Sequence, residues 1–383
     1  MTSLSTAFTI ADLRKLAQQK LPSVMFDYLD GASEDGITLE WNRNSFNRYE
    51  FVPRILVDVS QIDLGVTVQG LKLKTPIIAA PTGMSRMFHW EGEKAVVRAA
   101  HKAGSAYSLS TVSTTSIEDV AAESEGPRFF QIYSWHDKKM VHDFIQRCKQ
   151  SNYDGLMLAV DLASLGKRER DLRNGHGRPS VLRRNTALSA LGKPAWLYHF
   201  LTKPKWKMAN MVHHLPHGAN ALKVVDNVNE QFSASVSWDD ARRLQDMWGG
   251  KFMLKGIQCV EDAVKAAEMG ASGIILSNHG GRQLDGAPAA FDILPEVVAA
   301  VGDRAEVIID GGIERGSDVI KSLALGAKAV LVGRAYLYGL AAGGEAGVSR
   351  SFDILNDETK RVMQLIGCPS ISQLDPSFVR KHN

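Results

Sequence analysis

Apolar residues in this chain fall into short continuous runs, several of them preceded by an amphipathic stretch that ends in glycine. Glu93 to Lys102 reads as a helix, Gly104 follows it, and Ala106 to Ser110 is a short apolar run. The pattern returns at Glu261 to Met269, Gly270 and Gly273 to Ser277, and again at Ser317 to Leu325, Gly326 and Ala329 to Gly333. Glycine just past a helix accepts the left-handed cap conformation. Runs such as Gly-Ile-Ile-Leu-Ser suit strands of a parallel sheet buried on both faces. Helix and strand in strict alternation predict βα units. Eight strands are predicted: Ile77–Pro81, Ala106–Ser110, Arg128–Tyr133, Gly155–Asp161, Lys251–Gly256, Gly273–Ser277, Glu306–Asp310 and Ala329–Gly333. Eight is the closure number of an α/β (β/α)8 TIM barrel, and an open doubly wound sheet is the competing architecture. The expected organisation is a single domain over 1–383, with an N-terminal helical segment at 1–64, the barrel at 65–374 and an insertion at 172–232 after the fourth strand. Thr9-Ile10-Ala11-Asp12 marks a helix start, and Leu21-Pro22 to Gly31 a second short helix.

Composition narrows the class. The chain has 383 residues, 44% of them hydrophobic, which suits one barrel with additions. No apolar run approaches the roughly 20 residues of a membrane span. No basic region leads into an apolar signal core, so a cytoplasmic protein is expected. The three cysteines, Cys148, Cys259 and Cys368, form no CxxC pair, so neither a disulfide framework nor a zinc site is expected. A net charge of +3 does not by itself imply a nucleic-acid partner, and none is expected.

Polar residues stand at the C-terminal ends of all eight strands: Thr82, Ser110, Gln131 with Tyr133, Asp161, Lys255, Ser277 with His279, Asp310 and Arg334. Barrel active sites occupy that face. Any one of these residues reads equally as a capped loop; their repetition at matching positions points to a site. Asp310-Gly311-Gly312-Ile313 follows the seventh strand and Gly333-Arg334 the eighth, the usual place of a barrel phosphate site built from backbone N–H groups and a forked arginine.

The run Ser277-Asn278-His279-Gly280-Gly281-Arg282-Gln283-Leu284-Asp285 resembles the signature of the FMN-dependent 2-hydroxy-acid oxidases and dehydrogenases, which include glycolate oxidase, cytochrome-type lactate dehydrogenase and (S)-mandelate dehydrogenase. The likeness extends from about Ala11 to about Leu374 through Phe26-Asp27-Tyr28, Pro81-Thr82-Gly83, Leu109-Ser110-Thr111, Gln131-Ile132-Tyr133, Leu254-Lys255-Gly256 and Gly333-Arg334. The resemblance implies FMN as cofactor and oxidation of a 2-hydroxy acid to the 2-keto acid. It implies that His279 takes a proton from the substrate and that Asp161 steadies the resulting imidazolium. Arg282 and Arg168 would grip the substrate carboxylate with help from Tyr28, and Tyr133 would hydrogen-bond near the reacting carbon. Lys255 would sit at the flavin edge that gains negative charge. Pro81, Thr82, Gly83, Ser110, Gln131 and Ser277 would line the flavin, Asp310 would bind ribityl hydroxyls, and Gly311, Gly312, Gly333 and Arg334 would hold the phosphate. A homotetramer is the expected assembly.

Two positions depart from the family pattern. Glu314 stands where the family has arginine, and an anion there should repel phosphate unless it points away; Ala159 stands where a threonine usually faces the flavin. Gly83, with Val112 where glycolate oxidase carries tryptophan, predicts room for a substrate side chain larger than hydrogen, so lactate, mandelate and other alkyl or aryl hydroxy acids are the expected substrates.

From Leu172 to Val225 there is no Asp or Glu. The stretch holds Arg173, Arg178, Arg183, Arg184, Lys193, Lys203, Lys205, Lys207 and Lys223, interleaved with Trp196, Leu197, Tyr198, Phe200, Leu201 and Trp206. Basic residues among large rings suit an interfacial membrane segment, and the stretch resembles the insertion of membrane-bound members of the family. An active-site lid or a disordered loop is the plainer reading. Membrane contact through 173–225 on the inner face of the cell membrane, with electrons passed to a quinone or another acceptor, is the resulting expectation. A soluble, oxygen-using oxidase that makes hydrogen peroxide is the alternative; a barrel using FMN structurally, or a surface-binding module that has lost catalysis, stand further off.

Overall fold

The structure is a computed structural model and describes residues 3–175, 184–205, 207–214 and 231–382. Arg178, Arg183, Trp206 and Lys223 lie outside the described residues. The eight predicted strands form β1 (Ile77–Ala79), β2 (Tyr107–Ser110), β3 (Arg128–Ile132), β4 (Gly155–Ala159), β5 (Lys251–Ile257), β6 (Gly273–Leu276), β7 (Glu306–Asp310) and β8 (Ala329–Val332). They pair in parallel around one closed barrel in which β8 meets β1. This is the expected TIM barrel, and no open edge is left in it. Gly104, Gly270 and Gly326 take the positive φ expected of them after their helices.

Side chains of Ile78, Phe129, Met157, Met253, Ile275, Ile308 and Leu331 fill the barrel interior. An antiparallel pair not foreseen from the sequence, Val66–Val68 with Leu71–Leu73, adds Val68 and Leu73 to that cluster. It lies at the N-terminal mouth, where Gln69 Nε2 donates to Ser272 O and Glu306 Oε2, just before β6 and at the start of β7. The opposite, C-terminal mouth is the one left for chemistry.

The N-terminal segment covers part of that mouth. Helix Ile10–Lys20 starts at Thr9, whose Oγ1 accepts from Asp12 N while Asp12 accepts from Thr9 N, as predicted. Helix Ser23–Asp30 matches the second expected helix. A third, Ile37–Asn44, was not expected, because its own sequence supplies no side-chain cap. The cap comes from the far end of the chain. Asp285 accepts from the backbone N–H groups of Asp35, Gly36, Ile37 and Thr38 at 2.8–3.2 Å. Residues beyond 374 also serve this segment, since Val379–Lys381 pairs antiparallel with Tyr49–Phe51.

Between β4 and β5 the described part of the insertion contains helices Arg184–Leu191 and Pro194–Thr202. The second is fastened to the body of the protein. Lys193 Nζ donates to Gln18 O and Gln19 O, and Trp196 Nε1 donates to Met87 O at 2.9 Å. The Trp196 N–H is therefore paired within the protein, and its half-buried ring stacks on Phe200. Tyr198 and Leu201 remain 62% and 72% exposed. No helix among the described residues is long and apolar enough to cross a membrane.

Asp285→Ala removes the acceptor for four N–H groups, so stability should fall by about 1–2 kcal/mol, the usual cost of a lost helix cap. Denaturant unfolding checks this, and an unchanged midpoint would refute the capping role. Burial by itself would raise the Asp285 pKa, but the backbone N–H groups of Thr38, Ile37 and Gly36 hold it below the ordinary value. The stabilisation is thus complete above the ordinary Asp pKa and is lost as pH falls through the lowered one.

Candidate active site

The C-terminal mouth opens into a cavity walled by residues from every strand end, from the N-terminal segment and from the insertion. On its floor Lys255 is paired with Asp310, and both meet Ser277. Lys255 Nζ donates to Ser277 Oγ at 2.9 Å, which donates to Asp310 Oδ2 at 2.9 Å. This buried pair places a fixed ammonium at the base of the cavity.

His279 follows β6 at φ +59°, and Gly280 and Gly281 continue in the left-handed region at +65° and +74°. A histidine in that region is strained. The bend is held by Ser277 Oγ, which accepts from His279 N at 3.1 Å, and by Asn278 Oδ1, which accepts from Gly281 N. A Cβ at Gly281 would lie 2.7 Å from Leu39 N, so the third unexpected helix packs directly on this turn. The result is that the imidazole faces the cavity while its Nδ1 lies 3.1 and 3.2 Å from the two carboxylate oxygens of Asp161. The Asp161 side chain is fully shielded from solvent. Burial would raise its pKa, but His279 and then Lys255 hold it below the ordinary carboxylate value. A charged Asp161 fixes the ring and leaves Nε2 for a proton.

Opposite stand two guanidinium groups. Arg282 donates to Tyr28 O and Gly31 O and lies over the Tyr28 ring at 4.9 Å. Arg168 donates to Arg282 O and to Gln283 Oε1. Desolvation, then the neighbouring Arg282, lower the Arg168 pKa to about 10. Asp171 lies 4.0 Å from Arg282 Nη2 and its charge also reaches Arg168. Two close cations outnumber that one carboxylate and suit an added anion. Tyr133 lies beside them, its hydroxyl pKa pushed up by burial and by the Asp161 charge.

A second anion site lies across the cavity. Gly311 and Gly312 turn at φ +109° and +78°, and a Cβ on Gly312 would meet Asn42 O at 2.1 Å, so only glycine fits. Arg334 sits deep in the wall, and its hydrogen bonds go to the backbone carbonyls of Leu29, Gly31 and Gly280. Burial lowers its pKa to about 10. Glu314 does not confront this site as a bare anion, as its position in the sequence suggested. Arg43, on helix Ile37–Asn44, donates to Glu314 Oε1 at 2.9–3.0 Å and cancels its charge. Between the two anion sites Ser110 Oγ donates to Gln131 Oε1, and Gln131 Nε2 is buried without a hydrogen-bond partner. Such an orphaned donor is rare and calls for an acceptor from a ligand. A phosphate-ended ring compound with a carbonyl edge fits these residues.

Most residues expected from the sequence meet at this cavity: Tyr28, Pro81, Thr82, Gly83, Ser110, Gln131, Tyr133, Arg168, Lys255, His279, Arg282, Asp310, Gly311, Gly312, Gly333 and Arg334 line it. Asp161 and Ser277 stand just behind the wall and act on liners through hydrogen bonds. Arg43, Met208 and Phe232 line it and were missed. Arg43 belongs to the unforeseen helix, and the other two to the insertion, where no local pattern points inward. Gly83 and Val112 both line the cavity, and a Cβ on Gly83 would lie 2.6 Å from Val112 Cγ2, so glycine is what the packing at that position admits.

A βα barrel with a phosphate pocket at the β7 and β8 loops and a base facing two arginines is an enzyme that acts on a small acid with a phosphorylated cofactor. The chain belongs to the FMN-dependent dehydrogenase family, whose model matches residues 17–381. It is 40% identical to the L-lactate oxidase of Nostoc sp. over 99% of this chain and 100% of that one. It is 39% identical to the (S)-mandelate dehydrogenase of Pseudomonas putida over 97% and 94%. The crystal structure of the monotopic membrane protein (S)-mandelate dehydrogenase superposes with a TM-score of 0.94 at 38% identity, covering 98% of this chain and 100% of that one. The protein is thus an FMN-dependent 2-hydroxy-acid dehydrogenase or oxidase.

The charge arrangement sets an expected order of cofactor affinities. Arg334→Met should weaken FMN binding by roughly 10- to 100-fold, since a hydrogen bond to a charged group contributes about 1.5–3 kcal/mol. Glu314→Gln should stay within about threefold, because Arg43 already screens that carboxylate. Titrating FMN-stripped protein and following flavin fluorescence gives both values. A tenfold or larger tightening in Glu314→Gln would show that Glu314 repels the phosphate after all.

Proposed function

We propose that this protein oxidises an (S)-2-hydroxy acid with an apolar side chain, of the lactate or mandelate type, to the 2-keto acid, and passes the electrons to a membrane quinone. The observation that carries the reading is the His279–Asp161 pair facing Arg168 and Arg282 in one cavity. FMN supplies the two-electron oxidation, and the protein's residues supply the rest. Arg168 and Arg282 bind the carboxylate in forked contacts, which fixes the reacting carbon near His279. Tyr28 and Tyr133 hold the hydroxy acid from the side. His279 Nε2 takes a proton from the substrate, and Asp161 stabilises the imidazolium formed. Lys255, held in place by Asp310 and Ser277, offsets negative charge arriving at the cofactor. Gly311, Gly312, Gly333 and Arg334 hold the phosphate, Asp310 the ribityl chain, and Pro81, Thr82, Gly83, Ser110 and Gln131 the ring, with Ser277 behind them. The substrate side chain finds Val112, Leu165, Met208 and Phe232, all apolar and all lining the cavity.

The choice of a quinone rests on the insertion, whose exposed Tyr198 and Leu201 share a helix flanked by Lys193 and Lys203. That combination favours peripheral attachment to an anionic membrane. Molecular oxygen, with hydrogen peroxide as product, is the competing acceptor, and it fits the whole-length likeness to a lactate oxidase.

Anaerobic bleaching of the bound flavin by both enantiomers of lactate, mandelate and glycolate tests the substrate class. His279→Ala should keep its FMN and lose roughly 10²–10⁴-fold in the rate of bleaching; a rate near that of the wild type would remove His279 from the role of base. Attachment should respond to salt. Each basic residue near an anionic surface contributes about 1 kcal/mol, and such attraction is screened over about 10 Å at 0.1 M salt. Co-sedimentation with phosphatidylserine vesicles should therefore fall as salt rises without vanishing, and should be lost when 173–225 is replaced by a short polar loop. Equal sedimentation of both proteins would favour the soluble oxidase.

A further inference from the structure

A second cavity, of about 750 Å³, lies beside the first. Its volume is within the roughly 300–1,000 Å³ of small-molecule sites. It is bounded by the end of helix Ile10–Lys20, by Ala341 to Gly343, by the loop around Phe88 to Trp90, and by the insertion through Gly192 to Trp196, His199, Phe200, Lys203 to Lys205, Lys207 and Met208. Phe88 and Met208 line both cavities, so those two side chains form the partition between them. On the first side Phe88 stacks on Tyr28 at 6.3 Å.

The lining specifies its ligand. Rings dominate: Trp90, Trp196, Phe200, His89 and His199, with His89, Trp90 and His199 6.0–6.2 Å from one another. Among the described residues no carboxylate lines it, whereas Lys20, Lys203, Lys205 and Lys207 do, so a cationic ligand is disfavoured. Burial, then His199 and Lys20, lower the His89 pKa to about 4, which leaves that ring neutral at physiological pH. His199 Nδ1 is buried with no hydrogen-bond partner. Outside stand the exposed side chains of Tyr198 and Leu201, the patch read above as facing lipid. A planar, uncharged head with carbonyl acceptors and an apolar tail satisfies each of these features.

We propose that this second cavity docks the electron acceptor, a quinone whose ring lies among Trp90, His199 and the Phe88–Met208 partition and whose tail leaves past Tyr198 and Leu201. The proposal rests on the reading of a membrane quinone as oxidant. The whole reaction balances. The hydroxy acid loses two electrons and two protons as its Cα–H and O–H bonds break, and the quinone gains two of each as its carbonyls become hydroxyls. Protons enter from water at the lysine-lined rim.

The test uses the FMN-loaded protein, reduced anaerobically by its hydroxy acid and mixed with ubiquinone-1 or with ferricyanide. Ala195→Trp, at an exposed position on the cavity mouth, should slow reoxidation by ubiquinone-1 at least tenfold relative to reoxidation by ferricyanide. Independently, an azido-ubiquinone irradiated with the oxidised wild-type protein should label residues 86–90 or 193–208. Reoxidation by ubiquinone-1 at the wild-type ratio in Ala195→Trp, or labelling confined to the active-site cavity, overturns the site while leaving the quinone reading intact. If the wild type is bleached by its hydroxy acid but reoxidised no faster by ubiquinone-1 than by air, the quinone reading itself falls, and this proposal with it.

Discussion

Arg334 and Arg168 are sunk in the wall of one cavity, and burial lowers the pKa of each to about 10, yet their hydrogen bonds go to backbone carbonyls and an amide rather than to carboxylates. Taking a charge out of water costs several kcal/mol unless a counter-charge follows it in. Lys255 avoids that cost through its pair with Asp310. Arg168 and Arg334 feel the charges of Asp171 and Asp30 without a hydrogen bond to either carboxylate among the described residues, which suits both to counter-charges carried in by ligands. The same arrangement that weakens the ligand-free protein therefore selects ligands with anions at two fixed separations, and much of the surrounding structure exists to hold those cations where they are.

The nine-residue run 277–285 shows how that holding is done. Of its side chains only those of His279 and Arg282 line the cavity. Ser277 fixes the lysine and the bend, and Asn278 exchanges two hydrogen bonds with Asn42. Gln283 holds Arg168 and also Ser164 O, while Asp285 caps the helix that carries Arg43. The run is specific because it is a docking plate for the N-terminal segment as much as a catalytic loop. Replacing one of its apparently idle residues moves a cation.

Much of this was legible in the sequence. Strands such as β2, β6 and β8 announce themselves because each is an apolar run after a helix and a glycine, the pattern of βα units, and the count of eight apolar runs supplied the closure. The polar residue at each strand end is fixed by register, so its place on the mouth followed. What was not legible was set by distant parts of the chain. Helix Ile37–Asn44 takes its cap from Asp285, so its start carried no local mark. Glu314 looked like an obstacle because its partner Arg43 stands on that helix. Trp196 looked like a membrane ring, but its N–H is claimed by Met87 O.

The ribbon formed by Tyr49–Phe51 and Val379–Lys381 has a consequence for the order of events during synthesis. Domains fold largely as units, N-terminal parts emerging first, and contacts distant in sequence form slowly. Here the first fifty residues, with Tyr28 and Arg43 among them, leave the ribosome early but find Gly281, Asp285, Glu314 and the terminal strand only when the chain is nearly complete. The mouth of the barrel is thus the last part to assemble. A truncated or stalled polypeptide leaves the early helices undocked and their apolar faces uncovered, so quality control can distinguish unfinished molecules from finished ones before any cofactor is committed to them.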